Sequence, residues 1–114
     1  MARFDVGPLP GEALAAAADF HARVLADIRA VLAQARDHLT IVFPAADHTH
    51  RAWRLAAVQG LAREHAPLRI NAIESGDATG DEAGITAALA WLGTAPGVTG
   101  QLLPLDATGA GGAL

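Results

Sequence analysis

The 114 residues suit one compact domain, since a chain of this length can hide roughly two-thirds of the surface its unfolded form exposes, and 52% hydrophobic residues can supply its core. No run approaches the ~20 apolar residues of a membrane span, and MARFDVGPLPGE carries Asp5 and Glu12 where a secretory signal has an apolar block, so no membrane partner and a cytoplasmic setting are expected. The net charge of −4, with eight arginines spread along the chain, argues against nucleic acid, and the lack of cysteine excludes disulfides, thiolate metal sites and cysteine nucleophiles.

Residues 11–36 predict a long half-buried helix, because Leu14, Ala17, His21, Val24, Leu25, Ile28, Val31, Leu32 and Ala35 recur at three- and four-residue intervals. Its other face carries Asp19 and Arg23, four apart in the favourable order for a helical ion pair. Residues 39–43 (LTIVF), β-branched and closed by Pro44, predict a parallel strand buried on both faces. Asp47 or Thr49 caps a second helix that runs to about His65 and stops at Pro67. Residues 68–73 (LRINAI) predict the next strand, 75–84 a turn-rich connection, and 85–92 a third helix halted by Gly93 and Pro96. Residues 101–105 (QLLPL) are the last strand, with Pro104 suited to a sheet edge. This alternation, with connections too long for hairpins, predicts an α/β fold: a parallel sheet of three strands, or four with residues 4–6, flanked by helices. One domain over 1–106 and a loose glycine-rich tail at 107–114 are expected.

From Leu39 onward three segments resemble the short-chain dehydrogenase/reductase family. Ile41-Val42-Phe43 stands where that family has the strand before its catalytic loop. Arg63-Glu64-His65-Ala66 followed by Leu68-Arg69-Ile70-Asn71-Ala72-Ile73 is similar to its Arg-Glu-x-Ala and Ile-Arg-Val-Asn-x-Ile. Ala88-Leu89-Ala90-Trp91-Leu92 and the run from Val98-Thr99-Gly100-Gln101 to Asp106 resemble its last helix and its Val-Thr-Gly-Gln strand. The resemblance implies part of a Rossmann-like, doubly wound sheet, entered about halfway through the family's fold. The family's Gly-rich turn for a nicotinamide dinucleotide has no counterpart, and Gly109, Gly111 and Gly112 lack the strand-turn-helix context to replace it, so no cofactor is expected.

The resemblance also implies where a Tyr-x-x-x-Lys pair should sit: counted back from Arg63, on Asp47 and Arg51. An ionised carboxylate one turn from a guanidinium reads as a helix-start ion pair and cannot supply tyrosine's proton. Phe43-Pro44-Ala45-Ala46 joins strand to helix without the family's serine, and the shortened connection after Asn71 implies that its substrate lid is missing. The expectation is a catalytically silent relative.

The remaining polar groups read as structural. His48 and His50 diverge by about 200° at a helix start, which disfavours a shared metal. His21 is expected in a core or interface, and His38 and His65 near helix ends. Asp77, Asp81 and Glu82 fit capping and first-turn acidity better than a cation site. No metal is expected.

The helix at 47–65 points to a partner. Ala52, Ala56 and Gly60 form a small-residue seam, Trp53, Ala57 and Leu61 lie beside it, and Leu55, Val58 and Ala62 cover much of the other side. A helix apolar nearly all round must be covered nearly all round, by the chain's own first helix or by another molecule. The resemblance implies that this helix and the one before it, with Val24 and Ile28, form a dimer surface; Trp53 and Trp91 read as core or interface anchors. The expected function is therefore self-association, or service as an accessory subunit of a full-length short-chain reductase. Two rivals stand beside it: a cofactor-independent isomerase, cyclase or lyase using Asp47, His48 or His50, and a half-reductase completed by a second chain.

Overall fold

The computed structural model of the protein describes residues 2–75 and 82–105. In chain order they form β1 (Arg3–Asp5), α1 (Ala13–Asp19), a π-helical turn (Phe20–Val24), α2 (Leu25–Leu32) and β2 (His38–Phe43). A 3-10 turn (His48–His50) then leads into α3 (Arg51–Glu64), followed by β3 (Arg69–Glu74), α4 (Glu82–Gly93) and β4 (Leu102–Pro104). The strands pair in parallel in the order β1-β2-β3-β4, which places Pro104 on an edge strand and makes residues 3–5 the fourth strand.

Strand alternation sorts the core into two layers. Leu39, Ile41 and Phe43 of β2 and Ile70 and Ala72 of β3 face one side, where they pack against Phe20, Val24, Ile28 and Leu32 and against Val58 and Leu61 of α3. Val42 and Ile73 face the other side, under Ile85, Leu89 and Leu92 of α4. Each new strand is added on the same edge while α4 lies on the opposite face from the earlier helices, so the β3–α4–β4 crossover has the opposite hand to the first two. Right-handed connections account for about 98% of such units, so this departure is a defined property of the fold.

The first helical segment corrects the expected register. Its fully buried residues are Ala16, Phe20, Val24, Ile28 and Leu32, a strict spacing of four. On an ideal helix each such step drifts by about 40°; the wider π turn at Phe20–Val24 absorbs part of that drift and keeps one stripe against the sheet. Leu14 is left 77% exposed, and His21 is also exposed, its Nδ1 2.8 Å from the Ala17 carbonyl rather than in the core. The Asp19–Arg23 pair forms as spaced, at 2.9 Å. His38 lies at the start of β2, not at a helix end; burial, and secondarily the Arg69 charge, hold its pKa below the ordinary value, the reverse of an imidazolium stabilised by a dipole.

The segments that carry the family resemblance are joints. Arg69 Nη1 donates to the carbonyls of Leu92 (3.0 Å) and Ala95 (2.8 Å), closing the end of α4. Buried Asn71 donates from Nδ2 to the Val98 carbonyl (3.0 Å) and accepts from Gln101 N–H (3.0 Å), while Thr99 Oγ1 accepts from Ile70 N–H (3.1 Å). Gly100 turns this loop at φ +74°, a conformation in which a side chain is strained, and its N–H donates to the Ile70 carbonyl at 2.7 Å. The tail at 107–114, together with Asp77 and Asp81, lies outside the described residues.

Candidate functional site

Ligands of open α/β sheets bind beyond the carboxyl ends of the strands. Here a cleft of about 230 Å³ opens at that end, between the loop after β1 (Leu9, Pro10, Gly11), the residues after β2 (Pro44, Ala45, Ala46, Asp47) and the side chains of His50 and Arg54. Asp47 caps the turn into α3, accepting from Thr49 N–H at 2.9 Å and from the Thr49 hydroxyl. The hydroxyl bond and then the backbone bond lower its pKa, so it is a fixed, ionised acceptor. Arg51, half exposed, donates from Nη1 to Glu74 Oε1 at 3.3 Å.

The sequence reading missed Arg54. Its side chain is only 1% exposed, and Nη1 donates to the Pro44 carbonyl (3.0 Å) and to Glu74 Oε2 (3.2 Å). Its Cζ lies 4.6 Å from the ring centre of Phe43 and 5.7 Å from that of Trp53. Burial lowers its pKa and Glu74 opposes that shift; a guanidinium remains charged regardless. Two arginines thus share one carboxylate, and among the described residues no other carboxylate reaches either of them.

His50 is buried, and its surroundings define its tautomer. The Trp53 indole N–H can only donate, so it fixes Nδ1 as the acceptor at 3.3 Å, and Nε2 then carries the proton and donates to the Gly11 carbonyl at 3.0 Å. Both ring nitrogens are occupied in joining α3 to the loop after β1. His48 is exposed. Among the described residues no three His, Asp or Glu side chains group as a metal site. Glu82 opens α4 and accepts from Arg3 Nη1 at 2.8 Å.

A family model described as "Short chain dehydrogenase-like protein" matches residues 4–105. The chain belongs to that family. No curated protein and no solved structure matches it. Asp47 and Arg51, where the likeness to short-chain reductases implies tyrosine and lysine, are held by Thr49 and Glu74 respectively. The residues present also do not fit a nicotinamide dinucleotide at the start of α1, the helix that follows β1. Pro8 and Pro10 have no N–H to offer, and the Glu12 carboxylate already accepts from Leu14 N–H (3.1 Å) and Ala15 N–H (3.0 Å), putting a negative charge where a pyrophosphate would have to lie.

The helices that the family resemblance assigns to docking divide into covered and open parts. Val24, Ile28 and Leu61 are buried inside this chain, and Trp53 packs in an aromatic cluster with Phe20 (ring centres 5.2 Å apart) and Phe43 (5.7 Å). Ala52 and Ala56 are exposed, and Ala57 and Gly60 half-buried. Ala56, Ala57 and Gly60 line a shallow groove of about 250 Å³ against His21 and Leu25, which the Arg29–Glu64 ion pair (3.1 Å) borders. Trp91 is 55% exposed on α4, across the sheet from this groove.

Proposed function

We propose that this family member does not use the family's proton-transfer chemistry and works by association, pairing with a second copy of itself through the groove between α2 and α3. One observation carries the reading: both side chains at the tyrosine and lysine positions are committed to fixed partners, Asp47 to Thr49 and Arg51 to Glu74, while the outer side of α3 presents uncharged small residues at Ala52, Ala56 and Gly60. Small side chains let a second helix approach near the lower end of the ~8–10 Å range of packed axes. A twofold arrangement would bring two such seams together and let the Arg29–Glu64 pairs of the two copies flank them. A full-length short-chain reductase presenting its own docking helices would meet the same surface, making this chain an accessory subunit. The rival use of Asp47, His48 or His50 as acid or base draws no support from His50, neither of whose nitrogens is free.

Sedimentation velocity tests the proposal. A concentration-dependent dimer is expected, lost in Ala56→Arg while circular dichroism stays unchanged. A wild-type chain that sediments as a monomer at every attainable concentration, alone and mixed with a full-length reductase, overturns it.

A further inference from the structure

The groove between α2 and α3 carries a titratable group on its wall. His21 lines it together with Leu25, Ala56, Ala57 and Gly60, and its side chain is exposed. Nδ1 lies 2.8 Å from the Ala17 carbonyl, which can only accept, so Nδ1 carries a proton. That bond is the same whether the ring is neutral or charged. The change is confined to Nε2, a bare acceptor in the neutral ring and a donor in the charged one, and Nε2 has no hydrogen bond to a described residue. Phe20 and Trp53 stand beside the ring, their ring centres 5.3 Å and 6.4 Å away.

We propose, resting on the pairing reading above, that His21 is a proton switch on self-association: two copies pair while both His21 rings are neutral and separate when the rings are protonated. The charges that face the ring set the sign. From α3 the groove presents Glu64, whose two oxygens already accept from Arg29 Nη2 (3.1 and 3.2 Å) and which has His65 Nε2 3.1 Å away. On the helical run of His21 itself, Asp19 pairs with Arg23, whose charge Asp27 also supports. His50, beyond Trp53, spends both ring nitrogens on Trp53 and Gly11. No carboxylate of the groove is left unmatched, so a protonated His21 adds positive charge on the wall that Arg29 also lines, with no partner for it. A twofold pairing brings the same set from the second copy and doubles the mismatch. Packing against Ala56, Ala57 and Gly60 would also strip water from the ring, which is costly for an unpaired cation. Pairing therefore holds in full on the neutral side of the histidine titration and is lost as pH falls through it. The overall charge predicts the reverse: with −4 at neutral pH and an isoelectric point of about 5.6, mild acid relieves repulsion between copies. A dimer that weakens in mild acid thus reports a local group.

Sedimentation velocity of the full chain across pH, at constant ionic strength, tests the switch. Because the rings of both copies must be free of the added proton, the association constant is expected to fall roughly tenfold between about pH 7.5 and about pH 6, with circular dichroism unchanged. His21→Gln keeps a polar side chain that is neutral at every pH, and should hold the constant to within about twofold over that range. His65→Gln removes the other histidine beside Glu64 and should leave the wild-type fall intact. A wild-type constant that is flat or rises in acid, a fall that persists in His21→Gln, a His21→Gln chain that no longer pairs at neutral pH, or a fall abolished by His65→Gln each overturns the switch and leaves the pairing reading standing. A wild-type chain that is monomeric at every pH removes self-pairing and the switch with it.

Discussion

Removing the charge of Glu74 without changing its size should expose how the triad is built. In Glu74→Gln the buried Arg54 loses its only carboxylate among the described residues, and losing one partner of a buried ion pair costs about 3–5 kcal/mol. Glu74 is 15% exposed, and Arg54 keeps the Pro44 carbonyl and the faces of Phe43 and Trp53, so about 2–3 kcal/mol is the expected loss. With a urea slope of about 2 kcal/mol/M, the unfolding midpoint should fall by roughly 1–1.5 M at fixed protein concentration. Arg51→Gln breaks a pair that is half exposed on the arginine side, which is worth about 0–1 kcal/mol, so its midpoint should fall by less than about 0.5 M. The double variant Arg54→Met with Glu74→Leu replaces charge by hydrocarbon on both sides and should recover much of the single-variant loss. Urea titrations followed by circular dichroism in parallel decide the matter. If Glu74→Gln is no more costly than Arg51→Gln, Arg54 does not depend on Glu74, and the charge argument fails.

Two further outcomes follow from packing and titration. Phe20→Ala should cost about 3–5 kcal/mol because Phe20 is fully buried between Phe43 and Trp53, whereas Leu14→Ala, on the exposed side of α1, should stay within about 0.5 kcal/mol; comparable melting shifts in the two would refute the π-turn register. His38 has its folded-state pKa pushed down by burial and then by Arg69, so the unfolded chain takes up the proton first. Its contribution is complete above the ordinary histidine value near ~6.5 and is lost as pH falls from there through the lower folded value. Melts from neutral to mildly acid pH should show that decline, and His38→Gln should flatten it; an unaltered slope in the variant would remove His38 as its source.

What was legible in the chain was what is local. Short, largely apolar runs at Leu39–Phe43 and at Ile70–Ile73, set between helical periods and punctuated by Pro44 and Pro67, were enough for a parallel α/β sheet, because strand and helix periods are short-range properties. Adding one π turn was enough to move the buried stripe from Leu14, Ala17 and His21 to Ala16 and Phe20, and no residue type announces such a turn. The hand of the last crossover was equally hidden, since it depends on which face α4 chooses and not on its own pattern. Arg54 escaped notice for a related reason. A charged residue in a helix reads as solvent-facing, and only the arrival of Glu74 from β3, with Phe43 from β2, makes its burial tolerable.

The residues that carry the likeness and those on the rim answer to different physical demands. Arg69, Asn71, Thr99 and Gly100, which carry the likeness to the short-chain reductases, bind β3 to the end of α4 and to the approach of β4; each meets a backbone group whose position the sheet dictates, so changing one would leave buried polar groups unpaired. Asp47 and Arg51 lie on the rim beyond the strand ends, where the sheet makes no such demand; there Asp47 caps the turn into α3 and Arg51 pairs with Glu74. A fold held by its joints can exchange the groups at its rim and keep its outline. In this chain Arg51 and Arg54 converge on Glu74 beside that rim, so the end of β3 is tied to the start of α3 by charge as well as by packing.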